Sequence, residues 1–130
     1  MNYKVYTDGA SKGNPGPAGA GGVIYDAEGS VIAEVTHYLG VTTNNVAEYT
    51  ALLLTLEQAI LLGIKHVDVF MDSKLVVEQM NGRWKIKNPV LKEINNKLKI
   101  LLPKFQSISF THIYRDLNTY ADNLANKAIN

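Results

Sequence analysis

The sequence predicts an α/β fold: a five-stranded mixed sheet, three antiparallel strands followed by parallel additions, flanked by helices. Three observations point there. The first third of the chain reads as three short strands separated by a glycine-rich loop and a tight turn, and a turn that short joins antiparallel neighbours. The period then changes to that of helices, with single strands set between them, as in parallel crossover units. The length, 130 residues of which 46% are hydrophobic and 19% charged, suits a single domain, residues 1–130, around one core.

Taken in order, Asn2 to Asp8 reads as the first strand and Gly9 to about Gly19 as a long glycine- and proline-rich loop. Ala20 to Asp26 is the second strand, Ala27-Glu28-Gly29 a turn, and Ser30 to Leu39 the third strand. Val46 to Leu62 is a helix that is apolar on more than one face, hence buried, with Gly63 as its stop. His66 to Met71 is a strand with Val67, Val69 and Met71 on one face, and Ser73 to Met80 a short helix. Asn88 caps a helix that has Pro89 at its first position and the stripe Leu91, Ile94, Leu98, Leu101; Pro103 ends it. Phe105 to Ile113 is a fifth strand, with Ile108 and Phe110 assigned to opposite faces, and Asn118 to Ile129 a last helix whose Ala121, Leu124, Ala125 and Ala128 share one side. A right-handed crossover lays the fourth strand beside and parallel to the first. Sites in such sheets form beyond the carboxyl ends of the strands, where the strand order reverses.

Composition narrows the chemistry. There is no cysteine, which excludes disulfides and thiolate metal sites; a metal would be held by oxygen or by the three histidines. Residues 1–6 lack an apolar signal core, and the most apolar stretch, Ala51 to Ile64, is interrupted by Thr55, Glu57, Gln58 and Gly63, too short to span a bilayer. The expectation is a cytoplasmic protein with no membrane partner. A net charge of +1 does not by itself point to nucleic acid.

Four acids converge in this arrangement. Asp8 ends the first strand, Asp72 follows the fourth, and Glu48 and Asp122 are placed in the first turns of the long and last helices. Each has a plainer reading: Asp8 as a turn residue before Gly9, Glu48 closing a capping box with Asn45, Asp72 capping the helix after it, Asp122 complementing a helix dipole. A residue can cap a helix and also bind metal. Clustered carboxylates repel, so a cation is needed to hold them. Hard oxygen ligands favour Mg²⁺ or Mn²⁺. Two such ions about 4 Å apart can clamp the attacking and leaving oxygens of a phosphodiester.

The segments Thr7-Asp8-Gly9-Ala10-Ser11 with Gly13-Asn14-Pro15-Gly16-Pro17-Ala18-Gly19, then Thr42-Thr43-Asn44-Asn45-Val46-Ala47-Glu48-Tyr49, then Met71-Asp72-Ser73, then Asn118-Thr119-Tyr120-Ala121-Asp122-Asn123-Leu124-Ala125 together resemble type 1 ribonuclease H, in order and over essentially the whole chain. The resemblance implies a ribonuclease H-like fold and an endoribonuclease. Its expected reaction is two-metal-ion hydrolysis of the RNA strand of an RNA/DNA hybrid, leaving 5′-phosphate and 3′-hydroxyl ends. It implies Asp8, Glu48, Asp72 and Asp122 as catalytic metal ligands for two Mg²⁺ ions, with Mn²⁺ as a substitute. It places Asn14, Thr43, Asn44 and Asn45 against the nucleic acid, where short amides and hydroxyls suit phosphate, base edges and the 2′-hydroxyl. For Asn44 and Asn45 the plain alternative is helix capping. The glycines and prolines from 13 to 22 read as a tight loop entering a strand.

Two departures from the pattern stand out. Many relatives insert a lysine-rich handle where this chain has only Asn81-Gly82-Arg83-Trp84-Lys85-Ile86-Lys87-Asn88, in which Trp84 sits among three cations and either meets the nucleic acid or packs on the helices. Many also carry a histidine before the last helix, where this chain has Tyr114-Arg115-Asp116-Leu117-Asn118; Arg115 is assigned an electrostatic part of its role. His112, His37 and His66 fall in strands and read as structural. Three competing functions are weighed against hybrid cleavage: a nuclease that also cuts double-stranded RNA, a non-catalytic hybrid-binding module, and a protein-interaction domain that would leave the four acids without a shared purpose. A monomer is the expected state.

Overall fold

In the computed structural model, which describes residues 2–130, β1 (Tyr3–Ser11) turns back as β2 (Gly16–Tyr25) and again as β3 (Val31–Thr42). Then follow α1 (Asn44–Leu61), β4 (His66–Met71), α2 (Lys74–Met80), α3 (Pro89–Leu101), β5 (Ser107–His112) and α4 (Thr119–Ile129), with single 3₁₀ turns at Leu102–Lys104 and Arg115–Leu117. The sheet order is β3-β2-β1-β4-β5. β1 pairs antiparallel with β2 and parallel with β4, and β4 pairs parallel with β5. This is the mixed sheet expected from the sequence, with the order reversing at β1.

The main difference from expectation is the glycine-rich loop. Most of residues 9–19 is strand: Gly9, Ala10 and Ser11 pair with Ala20, Gly19 and Ala18. The glycines serve packing. A Cβ on Gly19 would lie 2.3 Å from the Ala125 carbonyl oxygen, and one on Gly21 would lie 2.4 Å from the Ala121 carbonyl oxygen and the Ala125 nitrogen. A Cβ on Gly22 would instead meet the Thr55 hydroxyl oxygen at 1.9 Å. Successive strand residues point to opposite faces, so α4 and α1 grip β2 from its two sides, each in contact with bare backbone.

The α1 face holds the core. Tyr49, Leu52, Leu56 and Ala59 pack with Val5, Ile24, Val67, Val69 and Met71, closed off by Leu91 and Leu98 of α3 and by Phe105. Ile94 and Leu101 complete the predicted stripe from the margin of this cluster. Ile108 and Phe110 do not point to opposite faces. They are two residues apart in a strand, hence on one face, and both pack against the core. Strand ends also shifted: β5 is shorter than 105–113, and α1 starts two residues earlier, at Asn44, because the Thr43 side chain accepts a hydrogen bond from the Val46 N–H. Asn88 caps α3 as predicted, accepting from the Val90 and Leu91 N–H groups. Among the described residues, no helix is long and apolar enough to cross a membrane.

The β2–α4 contact yields a direct test. Gly21→Ala drives a methyl into helix backbone, which cannot yield without moving α4. Thermal unfolding is expected to show a loss of about 1–3 kcal/mol, a fall of ~4–10 °C in Tm. An unchanged Tm would mean that the helix is not seated as described.

Candidate active site

The register of the sheet sets two of the acids side by side. Thr7 of β1 pairs with Met71 of β4, so the next residues, Asp8 and Asp72, leave the same edge of the sheet as neighbours. Glu48 comes from the second turn of α1. It reaches Asp8 because Gly9 has no side chain: a Cβ there would lie 2.3 Å from the Ala47 carbonyl carbon and the Glu48 nitrogen. The Gly9 N–H donates a hydrogen bond to Glu48 Oε1, which fixes the carboxylate over the strand. Carboxylate oxygens of Asp8, Glu48 and Asp72 all lie within 4.8 Å of one another. Asp8 and Glu48 are 4% and 5% exposed, and Asp72 is half-buried.

Asp122 stands outside that trio, on the α4 side, close enough for its carboxylate to help raise the Asp8 carboxyl. Asn126, one helical turn on, donates through Nδ2 to the Asp122 carbonyl oxygen at 2.9 Å and to its carboxylate at 3.2 Å. Gly9, Ala10, Ser11, Asn44, Arg115, Asp122 and Asn126 line one open groove across this edge.

Two of the three helix-end readings of these acids fail. Thr43, not Asn44 or Asn45, caps α1, and Glu48 lies beyond the first turn. Ser73, not Asp72, caps α2. Asp122 alone keeps its place in the first turn of a helix.

Crowding sets the electrostatics. Burial first, then the neighbouring Glu48 carboxylate, push the Asp8 carboxyl far above the usual carboxylate range, to about 11; Asp72 and Asp122 add to the rise. Burial also lifts Glu48, to about 7, against the opposing pull of its hydrogen bonds with Asp8 and the Gly9 N–H and of the Arg115 guanidinium. The pair therefore keeps a proton at neutral pH. Among the described residues the one ion pair, Arg83 with Glu78 at 2.8 Å, involves none of these acids. An all-oxygen donor set with no paired cation fits a hard divalent ion, whose charge would replace that proton.

The other predicted residues divide. Asn14 Oδ1 accepts from the Asn44 N–H at 3.0 Å, tying the β1–β2 hairpin to the start of α1. Thr43, Asn44 and Asn45 follow at that same corner, and the two asparagines are not used as caps. Arg115 lies in the 3₁₀ turn before α4 and lines the groove. Trp84 is elsewhere: it is 44% exposed and lines a second groove with Gln79, Ile86, Lys92, Asn95 and Lys99.

Two positioning residues escaped the sequence reading. Asn118 looks like a helix cap, yet it makes no side-chain cap bond; its Nδ2 donates to the Thr7 carbonyl oxygen at 3.0 Å, inside the protein, one residue before Asp8. Asn126 was signalled only by its i+4 spacing from Asp122.

A family model described as "Reverse transcriptase-like" matches residues 6–128. The chain is 48% identical over 130 residues to a bifunctional protein of Mycobacterium tuberculosis, covering 99% of this chain and 36% of that one. The N-terminal RNase H domain of that protein, solved as a fusion with maltose-binding protein, superimposes with a TM-score of 0.96 at 46% identity, with both chains fully covered. RNase H1 of the archaeon Halobacterium salinarum gives a TM-score of 0.94 at 41% identity over 98% of this chain and 97% of that one. An RNase H1 solved in complex with an RNA/DNA hybrid gives 0.93 at 44% identity, over 98% and 96%. The chain thus spans about a third of the length of the first curated relatives it matches.

The trapped proton makes stability and metal binding depend on pH. A carboxyl whose folded pKa is raised binds its proton more tightly folded than unfolded. Its contribution is fully present below the unfolded value near 4 and is lost as pH rises toward the folded value. The Tm of metal-free protein is expected to fall from about pH 5 to about pH 9. Asp8→Asn is expected to stabilise the metal-free protein at pH 8 by on the order of 1–2 kcal/mol, ~4–7 °C. Calorimetric titration with Mg²⁺ or Mn²⁺ in buffers of different ionisation enthalpy should show proton release by wild type. Binding without proton release would contradict the shared proton.

Proposed function

Because the chain belongs to the ribonuclease HI family, we propose that it hydrolyses the RNA strand of RNA/DNA hybrids, leaving 5′-phosphate and 3′-hydroxyl ends. The observation that carries this reading is the cluster of Asp8, Glu48 and Asp72 at one sheet edge with Asp122 beside it, two of the acids buried and, among the described residues, no cation paired to any of them. Pure binding of a polyanion gains nothing from negative charge gathered in this way.

Asp8, Glu48, Asp72 and Asp122 would hold two Mg²⁺ ions, with Mn²⁺ able to substitute. Such ions supply Lewis-acid stabilisation of the phosphodiester and a more acidic water for attack. The chain's own part is orientation. The Gly9 N–H holds the Glu48 carboxylate, and Asn126 holds that of Asp122. Asn118 fixes the start of α4 against β1, so the distance between Asp8 and Asp122 does not depend on helix fraying. Asn14, Thr43, Asn44 and Asn45 form the corner that reads the hybrid, through amide and hydroxyl contacts to backbone, base edges and 2′-hydroxyls. Arg115, on the groove wall, places a fixed positive charge where phosphate enters and favours ionised Glu48. Trp84 with Arg83, Lys85 and Lys87 forms a second contact in place of a handle. The working form is a cytoplasmic monomer.

The test is cleavage of an end-labelled RNA/DNA hybrid beside matching RNA/RNA and DNA/DNA duplexes, in Mg²⁺, in Mn²⁺ and with chelator. Only the RNA of the hybrid should be cut, and chelator should abolish cutting. Asp8→Asn, Glu48→Gln, Asp72→Asn and Asp122→Asn should each lower the rate by about 10³-fold or more, and Asn126→Ala by ~10-fold. Cutting of RNA/RNA as well would widen the substrate class. Hybrid binding without cutting in either metal would leave a binding module.

A further inference from the structure

Three polar side chains meet where α1, α2 and α3 come together: Tyr49, fully buried, and Gln79 and Asn95, 9% and 3% exposed, at the floor of the groove beside Trp84. Burial of polar groups in a core is unfavourable unless each finds a partner, and these do. The Tyr49 hydroxyl donates to Gln79 Oε1 at 2.7 Å, and Gln79 Nε2 donates to the Lys85 carbonyl oxygen at 3.1 Å. Asn95, on α3, donates through Nδ2 to Met80 Sδ at 3.4 Å. The amide of Gln79 has one orientation that serves both ends, since the Lys85 carbonyl can only accept.

One end of this chain of bonds is the residue after Glu48. The other is the backbone of the exposed Arg83–Lys85 stretch. Gly82, at φ +76°, turns the chain at the end of α2. The Arg83 and Trp84 N–H groups then donate back to the Glu78 carbonyl oxygen, at 2.9 and 3.3 Å. The Arg83 guanidinium grips the Glu78 carboxylate at 2.8 and 2.9 Å. Those contacts are at the surface. The bond from Gln79 is the one that runs from this segment into the core.

We propose that Tyr49 and Gln79 are positioning residues that latch the Arg83–Lys87 segment to the helix carrying Glu48, so that Trp84 and its flanking cations meet nucleic acid already ordered. A loose segment of this length would lose conformational freedom on binding, which weakens the contact; a latched one has lost it already. The inference rests on the proposed contact of this segment with the hybrid.

The chain has one tryptophan, so Trp84 emission reports this segment alone. The full chain would be compared as wild type, Gln79→Met, Tyr49→Phe and Trp84→Ala. Acrylamide quenching of the free protein should rise in Gln79→Met and, less, in Tyr49→Phe. The KM for hybrid should rise about 5–20-fold in Gln79→Met and ~3–5-fold in Tyr49→Phe, with kcat within about twofold. Tyr49→Phe removes a single hydroxyl and carries the test if Gln79→Met does not fold. A lower Tm with quenching and KM unchanged, while Trp84→Ala raises KM, overturns the latch and leaves the contact standing. A fall in kcat at constant KM overturns it too, since the bonds would then act on Glu48. A Trp84→Ala protein with unchanged KM overturns the contact and the latch together.

Discussion

The approach of α1 to β1 over Gly9 is the constraint on which the rest of the site depends. With 2.3 Å from a notional Cβ to helix backbone, no other residue fits there without moving the helix or the strand. That closeness places Glu48 against Asp8 and lets the Gly9 N–H hold it. It also creates the main electrostatic penalty in the molecule, because two carboxylates are buried where one would already be unfavourable. The hydrocarbon core below, with Tyr49, Leu52 and Leu56 of the same helix shut away from solvent, holds the strained arrangement in place.

The same device recurs on the opposite face. Gly19 and Gly21 let α4 rest on β2 as Gly9 lets α1 rest on β1. Asp122 arrives with α4, and its height over the sheet follows from those two residues as much as from Asn118 and Asn126. The acids differ in burial accordingly. Asp8 and Glu48 are enclosed between β1 and α1, whereas Asp72 and Asp122 remain half-buried, Asp122 on the groove.

Much of this was legible in the sequence. Periodicity gave the number, kind and order of elements, and the crossover rule put Asp8 beside Asp72. Spacing and resemblance together picked out the acids, three of which the fold gathers within 4.8 Å, with Asp122 adjoining through Asp8. What the sequence concealed was tertiary. Glycine reads locally as loop, and only the helices lying on residues 9, 19 and 21 explain why those positions are strand. The strand ends and the cap of α1 moved for local reasons, through Thr43. Asn118 carried a capping signal that the fold spends on the Thr7 carbonyl instead. Tyr49 and Gln79 gave no signal at all, since an isolated polar residue in an apolar stretch names no partner.

The site is also assembled from nearly the whole length of the chain. β1 and β4 pair residues 64 apart, Thr7 with Met71, and Asn118 reaches back 111 residues to the Thr7 carbonyl. Contacts of such sequence separation form late and together, because each closes a long loop before it returns any stabilisation. A chain emerging from the ribosome therefore carries Asp8 and Glu48 for most of its synthesis without a fourth acid to complete them. A partly folded chain has neither the enclosure of Asp8 and Glu48 nor the full set of carboxylates. The four carboxylates share one edge of the sheet only once the last helix has docked.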